Sequence, residues 1–439
     1  MAGQPQPARA RPTNHAAPYD VLIRGGEVLD PSQGLRGQRD VAFAWGRVAA
    51  VTTPGAIDAA AARIVIDATG KLVTPGLVDL HTHVYVGGSE LVIPADEVCS
   101  VSGCTTVVDA GTAGANTMLG LRLLSQAQIR TRVFAFVHIS SIGLAGHPHG
   151  ESRDLVYLDP QLAARCVLSH QGFVLGVKVR QTRNLVGENG LEPLRRAARA
   201  AELADEAIRA QQARTAPAGD GQPGTRNQEP GTPRRVPVMV HYGSAPAPLA
   251  ELLAVLRPGD VVTHGFNGGV NGVLDDDGRV DEAARAARER GVLWDVGHGR
   301  GSFSYRVAAA CAEQGFWPDT ISTDLHSGSV NSPVVDMPTT MSKFLNLGMP
   351  LEEVVAKSTL APARFINGAL PAPAREALLG TLQVGAPGDA AVLELQRGEF
   401  QFRDSLGYTW TGAERLAPVH TILSGRPWGR PYPHPYLMP

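Results

Sequence analysis

The sequence predicts an α/β fold: a (β/α)8 TIM barrel with a small β-sandwich domain built from both chain ends. Three observations carry this. From Gly76 onward, short apolar runs alternate with Ala-, Leu- and Arg-rich stretches of helical texture, which is the rhythm of βα units and a parallel sheet. Eight such apolar runs can be counted, and eight parallel strands with helices between them suit a closed barrel. The segments on either side of this region carry β texture instead. The main structural alternative, a doubly wound sheet, usually opens an early helix with a glycine-rich phosphate loop, and no G-x-G-x-x-G or Walker pattern does so here.

Taken in order, residues 1–18 are rich in Ala, Pro, Gln and Arg and lack an apolar h-region, so they read as a flexible tail rather than a secretory signal. Residues 19–74 supply the first part of the sandwich. Short strands are expected over 20–24, 27–30, 40–44, 48–51 and 63–67, with Trp45-Gly46-Arg47 as a hairpin turn. The barrel is assigned to 75–379. Its strands are expected over 77–83, 105–110, 132–139, 173–179, 236–241, 260–264, 292–296 and 320–323, and its clearest helices over 191–211, 281–290, 305–314 and 351–360. Residues 213–235 interrupt the fourth unit with Pro, Gly, Gln, Thr and Arg and no periodicity. They read as a loop insertion on the face away from the active strand ends. Residues 380–439 return to β texture, with a glycine-punctuated turn over 380–389, strands over 390–395 and 418–423, and a proline-rich tail.

Forty basic against 42 acidic residues leave a net charge of −2, so neither a nucleic-acid field nor a patch for anionic membranes is implied. No apolar run approaches the roughly 18 residues of a membrane span. Cys99, Cys104, Cys166 and Cys311 form no C-x-x-C and sit among apolar residues, which points to buried free thiols and a reducing cytoplasm. The expected partner is a small-molecule substrate, with no nucleic acid and no membrane; association into a homo-oligomer is left open.

The functional centre is expected at Pro75-Gly-Leu-Val-Asp-Leu-His-Thr-His83. Residues i and i+2 of a strand share a face, so His81 and His83 can present both imidazoles to one point. An H-x-H pair alone is usually two ordinary histidines. In a barrel, however, catalytic groups project from the C-terminal strand ends, and other strand ends carry matching chemistry. Lys178 lies inside an apolar run where a charged ammonium is costly. His241, His264 and Asp324 end the fifth, sixth and eighth runs.

This ordered set resembles the amidohydrolase superfamily, in its binuclear, dihydroorotase-like branch; the closing Gly385-Ala-Pro-Gly-Asp389 is typical of it as well. Within that superfamily, Gly176-Val-Lys-Val-Arg180, Asp295-Val-Gly-His-Gly299 and Ser322-Thr-Asp-Leu-His-Ser327 look like a bacterial deacetylase group acting on acetyl-(R)-mandelate-type esters. The resemblance implies two divalent ions. His81, His83 and Asp324 would hold the buried one, and His241 and His264 the more exposed one. A CO2-derived carbamate on Lys178 would bridge them. Zn2+ suits these donors, with Mn2+, Co2+ or Fe2+ as alternatives. The implied reaction is hydrolysis of an acyl ester or amide of a small carboxylate-bearing substrate by an activated water, with Asp324 as the catalytic proton acceptor. The alternatives are a cyclic amidase of dihydroorotase or hydantoinase type, or an N-acyl amino acid deacylase. A scaffold role would need lost ligands, and all six positions carry competent residues.

Four further residues are candidates for substrate binding. Arg180 shares a strand face with Lys178 and suits either a substrate carboxylate or an ion pair within the barrel. His298, in a Gly-His-Gly loop, suits substrate contact or a loop hydrogen bond. His326 suits support of the ligands or a plain structural role, and Tyr85 a pocket wall. His147 and His149 are expected on a loop at the mouth and His138 in the core. Asp109 is expected to bond its glycine loop.

Overall fold

The structure is a computed structural model that describes residues 17–215 and 235–429. The expected N-terminal tail up to residue 16, the insertion over 216–234 and the last residues from 430 lie outside the described residues. The chain runs through β1 (Tyr19–Asp30), β2 (Leu35–Ala44), β3 (Arg47–Thr52), β4 (Ala62–Asp67) and β5 (Leu72–Pro75). It continues as β6 (Leu77–Thr82), β7 (Cys104–Gly114), β8 (Arg132–His138), β9 (Val174–Gln181), β10 (Val238–Tyr242), β11 (Val261–Thr263) and β12 (Leu293–Asp295). It closes with β13 (Ala390–Arg403), β14 (Thr409–Leu423) and β15 (Arg426–Trp428).

Both chain ends meet in one mixed sheet, ordered β15-β14-β13-β5-β1-β2-β3, with β4 also on β1. The join is the antiparallel pairing of β5 with β13, where Val73 faces Val392. Trp45 and Gly46 both take positive φ, 55° and 74°, which the tight β2–β3 turn requires. One face of this sheet buries Val21, Ile23, Val28, Val41, Phe43, Val73, Val392 and Ile422. β5 has no counterpart among the expected strands. The β13–β14 hairpin is far longer than the two short runs expected, because its distal part is mostly polar. That part lies over the helix Met337–Asn346, where the Asn346 amide bonds Glu414 O at 2.7 Å and receives Ala413 N at 2.8 Å.

Seven parallel strands form the second sheet, a curled one ordered β12-β11-β10-β9-β8-β7-β6. These strands are buried on both faces, hence their continuous apolar runs. Helices such as Pro160–Ser169, Glu192–Thr215, Glu282–Glu289 and Tyr305–Glu313 lie between them.

The expected eighth strand over 320–323 needs correction: it forms no ladder. Its segment instead makes isolated parallel bridges, Thr320 with Asp295 and Leu325 with Thr82. Asp324 N donates to His81 O at 2.6 Å, and His83 N to Leu325 O at 3.0 Å. Asp324 has φ 50°, and this left-handed residue breaks the extended conformation a ladder needs.

All four cysteines are buried and free, and among the described residues no helix is long and apolar enough to cross a membrane. The two sheets are tied at Asp389. Its carboxylate accepts from Arg132 Nη1 at 2.7 Å and from Ser424 N at 2.9 Å, and its carbonyl accepts from Gly76 N. Asp389→Ala is expected to cost about 1.5–3 kcal/mol, the range for hydrogen bonds to a charged group, and to lower the thermal midpoint measurably.

Candidate metal centre

Three strands and three adjoining segments converge on one buried point. His81 lies in β6, and His83 follows it. Lys178 lies in β9 and His241 in β10, while His264 follows β11 and Asp324 lies in the bridging segment. The pairing sets Lys178 beside His138 and Arg180 beside His241. Asp324 Oδ1 stands 3.4 Å from His81 Nε2 and 3.3 Å from His83 Nε2, and Asp324 Oδ2 stands 4.0 Å from His264 Nε2. Lys178 Nζ is 3.3 Å from His81 Nε2. The His264 ring lies 4.9 Å from that of His81 and 4.1 Å from that of His241. The structure thus brings together all six residues singled out from the sequence.

Hydrogen bonds on the far side of the rings set the tautomers. His264 Nδ1 faces Gly297 O, and a carbonyl only accepts, so the proton sits on Nδ1. His264 Nε2 is then a bare lone pair, buried and without a partner. His81 Nδ1 is 2.7 Å from Thr263 Oγ1, and that hydroxyl donates to Asp295 Oδ2, also at 2.7 Å. His81 is therefore the donor to Thr263, and its Nε2 too faces inward unprotonated. His83 Nδ1 has Thr112 Oγ1 at 2.8 Å. Inward lone pairs, with one donor atom each from His81, His264 and Asp324 within 4.8 Å of one another, fit a divalent cation.

The electrostatics agree. Burial drives the His81 imidazole well below its ordinary value, with the Lys178 charge adding to it, and holds His264 down at about 4. Burial also pulls Lys178 down to about 7, against the opposing attraction of Asp324. It works against the charge on Asp324 too, but His81 and His83 outweigh it and keep that carboxyl well below the usual range. Two site residues take a left-handed backbone, His264 with φ 66° and Asp324 with φ 50°, each costing about 1–3 kcal/mol.

Sequence reading missed the supports. Asp295 accepts from the hydroxyls of Thr263, Thr320 and Ser322. Asp79 receives Thr323 Oγ1, Thr323 N and His81 N, and burial raises its carboxyl to about 7. Gly297 and Gly299 admit their backbone to the site. A Cβ on Gly297 would lie 2.9 Å from His264 Nδ1, and one on Gly299 would lie 2.3 Å from Asp324 Oδ2. Gly111 makes room for Lys178 in the same way, at 2.7 Å.

The weaker candidates separate. His298 is fully buried, with its ring stacked on Phe303. Its Nδ1 faces Gly299 O at 3.0 Å, and its Nε2 accepts from Lys343 Nζ at 2.7 Å. Both nitrogens are used within the protein, so the expectation of substrate contact gives way to a loop-holding role. Lys343 also donates to Pro333 O and Arg403 O at 2.7 Å. His326 lies near His83, with ring centroids 6.4 Å apart, and its Nδ1 accepts from Gly328 N. Tyr85 lays its ring against Gly88 and its hydroxyl against Gly120. His147 pairs with Glu90 on the surface. His138 is buried with Nδ1 accepting from Ser140 N, and Asp109 accepts from Thr112 N and Val84 N. Arg180 pairs with Glu151.

Known proteins show the same organisation. Residues 64–131 match the model of the Amidohydrolase family. Over 395 residues the chain is 35% identical to a protein named deacetylase from Agrobacterium fabrum, covering 87% of each. The chain belongs to the amidohydrolase superfamily. A deacetylase of Enterococcus faecalis is 32% identical over 410 residues, covering 93% of this chain and 98% of the relative. Among solved structures, one described as an adenine deaminase superposes with a TM-score of 0.77 at 31% identity, covering 94% of this chain and all of that one. One described as a dihydroorotase gives 0.76 at 31% identity, covering 93% and 97%. The amidohydrolase chain described here is a metal-dependent hydrolase.

Two outcomes follow from this geometry. Thr263→Val removes the acceptor that orients His81, so divalent-metal affinity, read by chelator competition, should fall about 10- to 100-fold in a folded protein. The second concerns Glu151. Burial opposes its charge, yet Arg180 and His138 hold its carboxyl down at about 2, against 4.5 for the free group. A depressed acid stabilises above its unfolded value and loses that contribution as pH falls. The thermal-midpoint gap between wild type and Glu151→Gln should therefore be full at pH 7 and close as pH drops from 4.5 toward 2.

Proposed function

We propose that this enzyme is a binuclear metal hydrolase that removes an acyl group from a small carboxylate-bearing ester or amide, such as an α-acetoxy acid. The observation that carries the reading is the set of inward-facing imidazole nitrogens around Asp324, with Lys178 buried beside them. The two relatives named deacetylase support acyl removal. The likeness to a dihydroorotase structure favours, as a second reading, opening of a cyclic amide.

His81, His83 and Asp324 would hold one ion and His241 and His264 the other, zinc being the ion best suited to these donors. Lys178, as its carbamate, would join the two. Bound there, the ions would supply a water of lowered pKa and a polarised carbonyl. The protein's own contribution is proton handling. Asp324 accepts the proton of the attacking water and returns it to the leaving oxygen or nitrogen. Burial pulls Lys178 toward its neutral amine, the form that adds CO2 with release of one proton. The carbamate would replace a cation that is costly to bury with an anion suited to lie beside two cations. The same reading takes residues 75–379 as a closed barrel, with 320–325 completing the ring. It takes 19–74 and 380–429 as the small β domain.

Asp324→Asn should lower turnover by about 100- to 10,000-fold without unfolding the protein. A zinc-reconstituted panel of acetyl esters of (R)- and (S)-α-hydroxy acids, N-acyl amino acids and cyclic ureides separates the two readings. Intact-mass measurement under CO2 should show one added CO2 that is missing in Lys178→Met. Turnover surviving in Asp324→Asn would remove the assigned proton acceptor.

A further inference from the structure

Beside the centre lies a buried polar cluster that the hydrolytic steps leave unused. His138 ends β8, Arg180 lies in β9, and Glu151 sits on the loop that follows β8. His138 Nδ1 accepts from Ser140 N at 2.9 Å, so in the neutral ring the proton is on Nε2, aimed at Glu151 Oε1 3.4 Å away. Arg180 Nε approaches the same oxygen at 3.5 Å. Glu151 and His138 are almost wholly shielded from solvent. Charge-assisted contacts ordinarily close to about 2.7–2.9 Å, and these do not. Four buried atoms are left without a hydrogen bond: His138 Nε2, both Glu151 carboxylate oxygens and Arg180 Nη1.

The cluster is built rather than incidental. Asn189 Nδ2 donates to Ser152 O and Arg153 O, and Arg153 donates to Asn184 O, so the backbone next to Glu151 is pinned. Glu151 reaches Arg180 through Nε, which leaves the outer nitrogen of the fork uncommitted. Arg180 is two residues from Lys178 on the same strand face and in register with His241 on β10. An acceptor bound at Nη1 would therefore lie on the face that carries the metal ligands.

We propose that Arg180 Nη1 is the anchor for the substrate's carboxylate, and that Glu151, steadied by His138, is the positioning residue that turns the guanidinium toward it. This rests on the acyl-hydrolase reading above. A half-buried arginine whose charge is balanced by Glu151 can receive an anion without carrying a full unpaired charge when the site is empty. A carboxylate accepts from the free nitrogen, whereas a carboxamide in its place forfeits the charge-assisted bond.

The test compares an α-acetoxy acid with the matching α-acetoxy carboxamide, using zinc-loaded wild type, Arg180→Gln, Arg180→Lys and Glu151→Gln. Zinc content and circular dichroism are recorded alongside. Wild type should prefer the acid by at least tenfold in kcat/KM, the preference residing in KM. Arg180→Gln should abolish the preference. Arg180→Lys, which keeps the charge without the fork, should keep part of it, and Glu151→Gln should reduce it through KM. Equal use of acid and carboxamide by wild type overturns the anchor and leaves the hydrolase reading standing. So does an equal loss on both substrates in the Arg180 and Glu151 variants, since that is a purely structural role. Absence of turnover on every acyl compound by zinc-loaded wild type overturns the hydrolase reading, and the anchor with it.

Discussion

The site depends on where each histidine keeps its proton. A neutral imidazole has one donor and one acceptor nitrogen, and whichever nitrogen finds an acceptor outside the site fixes the other. Gly297 O does this for His264. The Thr263 hydroxyl does it for His81, because its own proton is already committed to Asp295. Asp295 is therefore the origin of a relay that runs through a hydroxyl to an inward lone pair. Burial then keeps these rings neutral, and a neutral ring is the state a cation needs.

The same relay explains the shape of the loops. The chain after β12 passes so close to the ligands that no Cβ fits at 297 or 299. Between those glycines His298 turns the other way, to Lys343, whose ammonium also holds Pro333 O and Arg403 O. The Ser405 hydroxyl, past the end of β13, donates to Gly299 O at 3.0 Å. The strand pair supplied by the C-terminal part of the chain thus helps to hold the peptide that lies against Asp324.

Much of this was legible in the sequence, and the reasons are specific. His81, His83, Lys178, His241, His264 and Asp324 stood out because each is a polar residue in or at the end of an apolar run. The seven strands stood out because burial on both faces makes such runs continuous. The eighth run lies beside its neighbours but makes only isolated bridges before the chain turns at Asp324, a break that an apolar pattern does not reveal. Thr263 and Thr112 gave no signal, since threonine is ordinary in strands. For His298 the sequence leaves substrate contact and a loop hydrogen bond open, and the structure takes the second; the glycines beside it are the informative residues, because atoms that must approach a crowded centre are backbone atoms. The β13–β14 hairpin was seen only at its buried roots, its outer half being too polar for a core-facing pattern.

The pairing of β5 with β13 joins residues more than three hundred positions apart. β1 and β2 can pair early, but the sheet that includes them gains β13 to β15 and its seam at Asp389 only when the residues from 389 onward arrive. Contacts of such long sequence separation are slow to form. During synthesis, β6 with His81 leaves the ribosome while its neighbour in the other sheet, β5, still has an open edge. That edge stays available to wrong partners until residues 390–393 arrive to cover it.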